Sequence, residues 1–199
     1  MHFQEYNDRC KCIYIHIPKV AGISIEAALF GVKVGHKTAR DYMAEDKARF
    51  DAYFKFAFVR NPYERFASAF YFLLGGGRNA ADRVWADRNI SRYPGFKAYV
   101  MAQADPVIRR HTLHHIHFRP QYQFVCDSSK NLIVDYIGRF EKLDEDFGEV
   151  CRLLGSPARL QHKNATRGRP DCSGQYDDEM KHIIHGMYVD DFRVFGYTP

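Results

Sequence analysis

The apolar positions of this chain fall into strand-like runs separated by helix-like stripes. Cys12-Ile-Tyr-Ile-His-Ile17 is an apolar, β-branched run closed by Pro18, followed by small residues and then by Ile25 to Phe30. It predicts a strand, a loop and a helix. Phe54-Lys-Phe-Ala-Phe-Val59 predicts a second strand, running directly into a helix whose start is marked three times. Asn61 can cap it, Pro62 suits the first helical position, and Glu64 stands where a capping-box carboxylate reaches back. Phe66, Ala69, Phe70 and Leu73 then repeat at helical spacing until Gly75-Gly-Gly77 ends the helix. Further on, Leu132 to Ile137 predicts a buried strand. Phe147, Val150, Cys151 and Leu154 predict a helix ended by Gly155 and Pro157, and Met180, Ile183, Ile184 and Met187 a last one. Residues 78–121 show no clear period and are read as mostly helical. Strands alternating with helices predict a three-layer α/β/α fold around a central parallel sheet, with ligands at the strands' carboxyl ends.

Composition narrows the class without naming it. At 199 residues with no linker-like tract, the chain reads as a single domain, residues 1–199. A hydrophobic share of 46% and a charged share of 27% are those of a globular protein. No run approaches the roughly 20 apolar residues of a membrane-spanning helix, and the polar start Met1 to Lys11 lacks the apolar centre of a signal peptide. The expectation is a cytoplasmic protein. Cys10, Cys12, Cys126, Cys151 and Cys172 are odd in number and widely spread, so they are read as reduced thiols. Lys and Arg number 29 against 24 Asp and Glu; the net +5 favours an anionic ligand without marking a nucleic-acid-binding stripe.

Pro18-Lys-Val-Ala-Gly-Ile-Ser24 lies between the first strand and the first long helix, where unpaired N–H groups and the helix dipole favour a bound anion. Gly22 permits close backbone approach, Ser24 adds a hydroxyl, and Lys19 adds charge beside the anion. An ordinary turn with a solvated lysine would look the same in isolation. The loop is not the G-x-x-x-x-G-K-[ST] of nucleoside-triphosphate enzymes, since its lysine precedes the glycine. Arg60 at the end of the second strand and Ser68 two helical turns into the capped helix can serve one phosphate.

With these two segments on the page, the chain resembles the sulfotransferase superfamily, in particular its carbohydrate branch, which includes heparan sulfate enzymes and bacterial relatives. Ile15-His-Ile-Pro-Lys-Val-Ala-Gly-Ile-Ser24 is similar to the family's 5′-phosphosulfate loop, and Phe58-Val-Arg-Asn-Pro-Tyr-Glu-Arg-Phe-Ala-Ser68 to its 3′-phosphate motif. Asp135-Tyr-Ile-Gly-Arg-Phe-Glu-Lys-Leu143 and Phe195-Gly-Tyr197 extend the likeness over most of the chain. The resemblance implies a P-loop nucleotide-hydrolase-like sulfotransferase fold. It also implies the donor 3′-phosphoadenosine 5′-phosphosulfate, the product adenosine 3′,5′-bisphosphate, no required metal, and a hydroxyl acceptor, here a carbohydrate. Lys19, Ala21, Gly22, Ile23 and Ser24 would hold the donor's 5′ end, and Arg60 and Ser68 its 3′-phosphate. Val20 and Ile23 stand where many members have threonine, so backbone N–H groups must do more. Lys163 to Arg169 is similar to a basic loop that closes over the nucleotide, with Arg167 as the chosen contact; a solvated loop arginine is the rival reading.

Sulfuryl transfer needs an in-line acceptor oxygen, a base for its proton and positive charge at the departing oxygen, the last a role that suits Lys19. Gly35-His-Lys-Thr-Ala39 resembles the segment that presents the histidine base in 6-O-type enzymes, so His36 is the predicted base. His16 is the rival, set aside because strand alternation turns it to the opposite face. His111, His114, His115 and His117 are weighed as a metal site and read instead as lining the acceptor cleft near Arg110, Arg119 and Gln121, since no glutamate or cysteine pair completes a ligand set. Asn89-Ile-Ser91 and Asn164-Ala-Thr166 match glycosylation sequons by chance. Two other functions stay open: a phosphoryl-transfer enzyme, which would need a Walker loop, and a non-catalytic nucleotide- or glycan-binding protein.

Overall fold

The computed structural model describes residues 2–160 and 172–199. In chain order its elements are α1 (Glu5–Cys10), β1 (Cys12–Ile15), α2 (Gly22–Leu29), α3 (Ala39–Glu45), α4 (Lys47–Ala52), β2 (Phe54–Val59), α5 (Pro62–Leu74), α6 (Ala80–Asn89), α7 (Phe96–Ala102), α8 (Pro106–His114), α9 (Tyr122–Val125), β3 (Tyr136–Arg139), α10 (Leu143–Leu154) and α11 (Asp178–Phe195). They fall into two compact units, and the division runs between Arg60 and Asn61.

Residues 2–60 and 120–160 make the first unit. It is built on a parallel sheet of order β1-β2-β3, in which Cys12 pairs with Phe54, Ile15 with Ala57, and Val59 with Arg139. Every residue of β1 and all of β2 after Phe54 are buried, so both faces of these strands are covered, as parallel sheets require. Tyr14 stacks on Phe56 at 5.1 Å between ring centres, and Phe56 meets Phe58 edge-on. The alternation of strands and helices thus yields the parallel α/β architecture that the sequence predicts.

The third strand overlaps only the end of its predicted run: it spans Tyr136–Arg139, so Tyr136 and Ile137 belong to it and residues 132–135 do not, and of its residues Gly138 alone is buried. Leu132 is 44% exposed and makes only an isolated antiparallel bridge to Cys126, while pairing with β2 begins beyond it. Asp135 sets that register: its N–H donates to the Lys55 carbonyl at 2.8 Å, and its carboxylate accepts the Lys55 N–H at 2.8 Å and faces the Lys55 ammonium at 3.0 Å. Gly138 then lets β3 lie against Phe58, since a Cβ there would stand 2.5 Å from the Phe58 ring. The strand is specified by these pairings rather than by its hydrophobicity.

Residues 61–119 and 172–199 make the second unit. The Asn61 side chain accepts the Tyr63 N–H at 2.9 Å, and Pro62 opens α5 as its cap signals predict. Phe66, Ala69, Phe70 and Leu73 are buried with Tyr99, Phe118, Ile184 and Tyr188 in one core. Each such large apolar side chain contributes about 1.5 to 3 kcal/mol on burial. Arg65 is also fully buried and donates to the Arg119 carbonyl, and the Tyr188 hydroxyl, at a break in α11, donates to the Phe118 carbonyl at 2.7 Å. The segment read as mostly helical contains α6, α7 and α8. No helix among the described residues is long and apolar enough to cross a membrane, and Cys10, Cys12, Cys126 and Cys151 are free thiols.

Candidate active site

β1 ends at Ile15, and the chain turns through Pro18 to Ala21 before α2 begins. Two residues of this turn, Lys19 at φ 74° and Ala21 at φ 63°, take left-handed backbone conformations uncommon outside glycine. Such a turn feeding a helix N-terminus makes a concave arrangement of backbone dipoles suited to an anion. Ala21 closes the helix start, its carbonyl accepting the Ser24 and Ile25 N–H groups at 2.9 and 3.2 Å. Val20 is buried and Ile23 is exposed, so the two departures from threonine lie in different surroundings.

The strained turn is backed by His16. Alternation does place His16 opposite Ile15 and Ile17, its ring stacked on that of Tyr14 at 5.7 Å, but that face is the one α2 covers, so the ring lies against the loop rather than away from it. A Cβ at Gly22 would stand 1.9 Å from His16 Nε2. Gly22 is therefore needed to admit the His16 ring, a reason that differs from the close approach to an anion inferred from sequence. His16 Nδ1 donates to Glu26 Oε1 at 2.6 Å, and both residues are buried. The same oxygen accepts the Val34 N–H at 2.9 Å. Burial works against ionisation of Glu26, but the His16 hydrogen bond and charge, the Val34 N–H and the nearby His36 outweigh it and hold the carboxyl below its ordinary pKa.

His36 stands beside this pair. Its Nδ1 is 3.0 Å from the His16 carbonyl oxygen, and the two rings meet edge-on with centres 4.4 Å apart. A carbonyl can only accept, so Nδ1 carries the hydrogen and the neutral ring keeps its lone pair on Nε2. His36 is half-buried, whereas His16 is enclosed. Both candidate bases are thus brought to one place, next to the loop of Lys19 to Ser24.

At the end of β2, buried Gln121 accepts the Arg60 N–H at 2.9 Å and donates to the Arg60 carbonyl at 2.8 Å. The side-chain amide continues the ladder where the sheet stops. The Arg60 guanidinium lies over the Phe140 ring at 4.2 Å, which keeps its charge at the strand's carboxyl end. Ser68 belongs to the second unit, buried on α5 two turns past the cap.

The chain matches the sulfotransferase family over residues 5–198. It belongs to the sulfotransferase family. Among curated proteins this chain is similar to carbohydrate sulfotransferase 11 of Rattus norvegicus, with 24% identity over 231 residues that cover 94% of this chain and 64% of that protein. It is similar also to carbohydrate sulfotransferase 14 of Homo sapiens, with 26% identity over 186 residues, 78% of this chain and 47% of that protein. A third relative is carbohydrate sulfotransferase 9 of Homo sapiens, 24% identical over 171 residues, 75% of this chain and 39% of that protein. The chain therefore spans between 39% and 64% of the length of these relatives. No solved structure matches it.

The histidines near residue 115 have a different setting. His115 packs on Trp85 at 4.1 Å between ring centres, His111 stacks on the same indole at 6.1 Å, and His117 meets Phe72 and lies 3.6 Å from Asp82. Burial lowers the His115 pKa. Among the described residues no group of three or more His, Cys, Asp or Glu side chains is placed to hold a metal. Trp85, Val84, Arg88, Asn89 and His111 instead line an open groove of about 550 Å³ within the second unit. Arg167 lies outside the described residues, as does the sequon at Asn164. Glu26, Phe140 and the clamping role of Gln121 are the site features that sequence reading misses; the one signal for Glu26 is its spacing of four from Gly22, which places both on one helix face.

Proposed function

We propose that this sulfotransferase moves a sulfuryl group from 3′-phosphoadenosine 5′-phosphosulfate to a hydroxyl of a carbohydrate. What supports the reading is the concave turn of Lys19 to Ser24 with a half-buried histidine, His36, held beside it in the tautomer that accepts a proton. The donor's phosphosulfate supplies an activated sulfuryl group when bound. The turn suits that anion through its left-handed backbone at Lys19 and Ala21 and the start of α2, to which Lys19 adds a positive charge.

In this reading Lys19, Ala21, Gly22, Ile23 and Ser24 bind the 5′ end, and Arg60 and Ser68 bind the 3′-phosphate, as the sequence motif and family membership imply. Arg167 remains a proposed nucleotide contact on the motif alone. The acceptor oxygen forms the new bond to sulfur as the bond from sulfur to the bridging phosphate oxygen breaks; His36 Nε2 takes the acceptor proton, and Lys19 stabilises the charge on the departing bisphosphate. The carbohydrate acceptor is proposed from the names of the relatives.

Calorimetry with adenosine 3′,5′-bisphosphate and ATP tests the donor half. The bisphosphate is expected to bind far more tightly; equal affinities contradict the reading. Transfer is expected to proceed in EDTA, because Lys19 and helix N–H groups supply the charge that magnesium supplies to kinases. Complete loss of transfer restored by magnesium or zinc would contradict that step.

A further inference from the structure

We infer that Glu26 is a positioning residue for the proposed base, its buried carboxylate joining His16 to the turn that carries His36, so that His16 and the base share one support. The inference rests on the reading of His36 just given. Glu26 and Gly22 are one helical turn apart on α2, and both face the His16 ring: Gly22 accommodates its Nε2 edge, and Glu26 Oε1 accepts from its Nδ1 at 2.6 Å. The same Glu26 oxygen holds the Val34 N–H at 2.9 Å, which anchors the chain two residues before His36. His36 in turn donates to the His16 carbonyl at 3.0 Å, closing a ring of contacts from α2 to His16, to His36 and back through Val34.

A neutral residue could fill this space, and replacing a buried ion pair by apolar groups is often neutral or stabilising. Two buried ionisable groups at this point therefore call for more than packing. A carboxylate fixes both contacts at once, because it has no hydrogen to donate and both Val34 N–H and His16 Nδ1–H must point to it. The other titratable groups facing Glu26 are Tyr14 from β1 and Tyr42 from α3; burial, with the Glu26 charge as the lesser cause, raises the pKa of Tyr14, so it remains a neutral phenol. Displacing a reacting group by about 1 Å costs on the order of 100-fold in rate. Loosening His36 is accordingly expected to act on turnover rather than on donor affinity.

The test is Glu26→Gln in the full chain, with labelled donor and a mixture of desulfated polysaccharides as acceptor. The expected result is a fall in kcat of roughly 10- to 100-fold, adenosine 3′,5′-bisphosphate affinity within threefold of wild type by calorimetry, and a displaced acidic limb in the pH profile of kcat/KM. Unchanged kcat and an unmoved limb in a folded Glu26→Gln protein overturn the inference. Should that variant not fold, Glu26→Asp keeps the charge and withdraws it by one methylene; unchanged kcat there also overturns it. In the wild-type protein, NMR should show protected Nδ1 protons for both His16 and His36, and a freely exchanging His16 proton would refute the shared support even if neither variant folds. Failure of the underlying reading looks different, since His36→Ala would then retain full transfer whatever Glu26 does.

Discussion

At position 22 the chain has a glycine because the next object in space is an imidazole ring. Any Cβ there overlaps His16 Nε2 at 1.9 Å, so Gly22→Ala should displace the ring or the loop. Overpacking of this kind costs about 1 to 3 kcal/mol, and adenosine 3′,5′-bisphosphate binding should weaken with it. The double variant His16→Ala, Gly22→Ala should regain much of that affinity, as calorimetry can check; equal loss in single and double variants would show that the glycine serves the ligand directly. Glu26 adds a pH signature. Its pKa is lower folded than the ordinary carboxylate value of about 4.3, so the stability it contributes is present above that value and lost as pH falls through the folded one. Thermal melts of Glu26→Gln should therefore fall less steeply than wild type below about pH 4.3. The turn that carries Lys19, Gly22 and Ser24 is legible in the sequence as a loop between strand and helix, because proline, glycine and small residues punctuate it. The His16–Glu26 pair was not, because it joins residues ten positions apart and depends on where β1 stops and in what register α2 starts.

Among the elements, β2 and α5 were read correctly because local chemistry specifies them: a β-branched and aromatic run, then Asn61 as cap and Pro62 at the first helical position. β3 begins at Tyr136, inside the predicted run Leu132 to Ile137 rather than at its start, because pairing is a long-range property. The run at 132–134 is the more apolar, yet Asp135 and Gly138 fit the edge of β2, and Gly138→Ala, which forces a Cβ to 2.5 Å from the Phe58 ring, should destabilise the chain by about 1 to 3 kcal/mol in a denaturant titration. Gln121 shows the same dependence on tertiary context. Its amide makes two hydrogen bonds to the Arg60 backbone, at 2.9 and 2.8 Å, so Gln121→Leu removes both, at about 0.5 to 1.5 kcal/mol each. Arg60 should lose its aim with them. The expected outcome is weaker bisphosphate binding in Gln121→Leu than in wild type, and an unchanged dissociation constant would detach Arg60 from the nucleotide.

Over the whole molecule, charge is unevenly shared between segments. Residues 78–119 contain eight Lys and Arg (Arg78, Arg83, Arg88, Arg92, Lys97, Arg109, Arg110 and Arg119) against three acidic residues (Asp82, Asp87 and Asp105), a net +5 that equals the whole chain's; the remainder has 21 of each sign. The balance was computable from the sequence, but its meaning comes from the fold, because this segment carries α6, Trp85 and the groove at Arg88 and His111. If an acceptor sugar is anionic, its KM should rise with ionic strength while a neutral acceptor's stays level, since screening weakens exposed charge pairs. Equal salt dependence for both would remove the charge from acceptor recognition. The central claim is transfer to a carbohydrate hydroxyl with His36 as base. The most direct measurement incubates wild type and His36→Ala with sulfur-labelled 3′-phosphoadenosine 5′-phosphosulfate across glycans, phenols and lipid alcohols. Label is expected on glycans with wild type, with kcat lowered by about 10² to 10⁴ in His36→Ala at nearly unchanged bisphosphate affinity. Label confined to phenols or lipids, or full turnover in His36→Ala, would contradict the account.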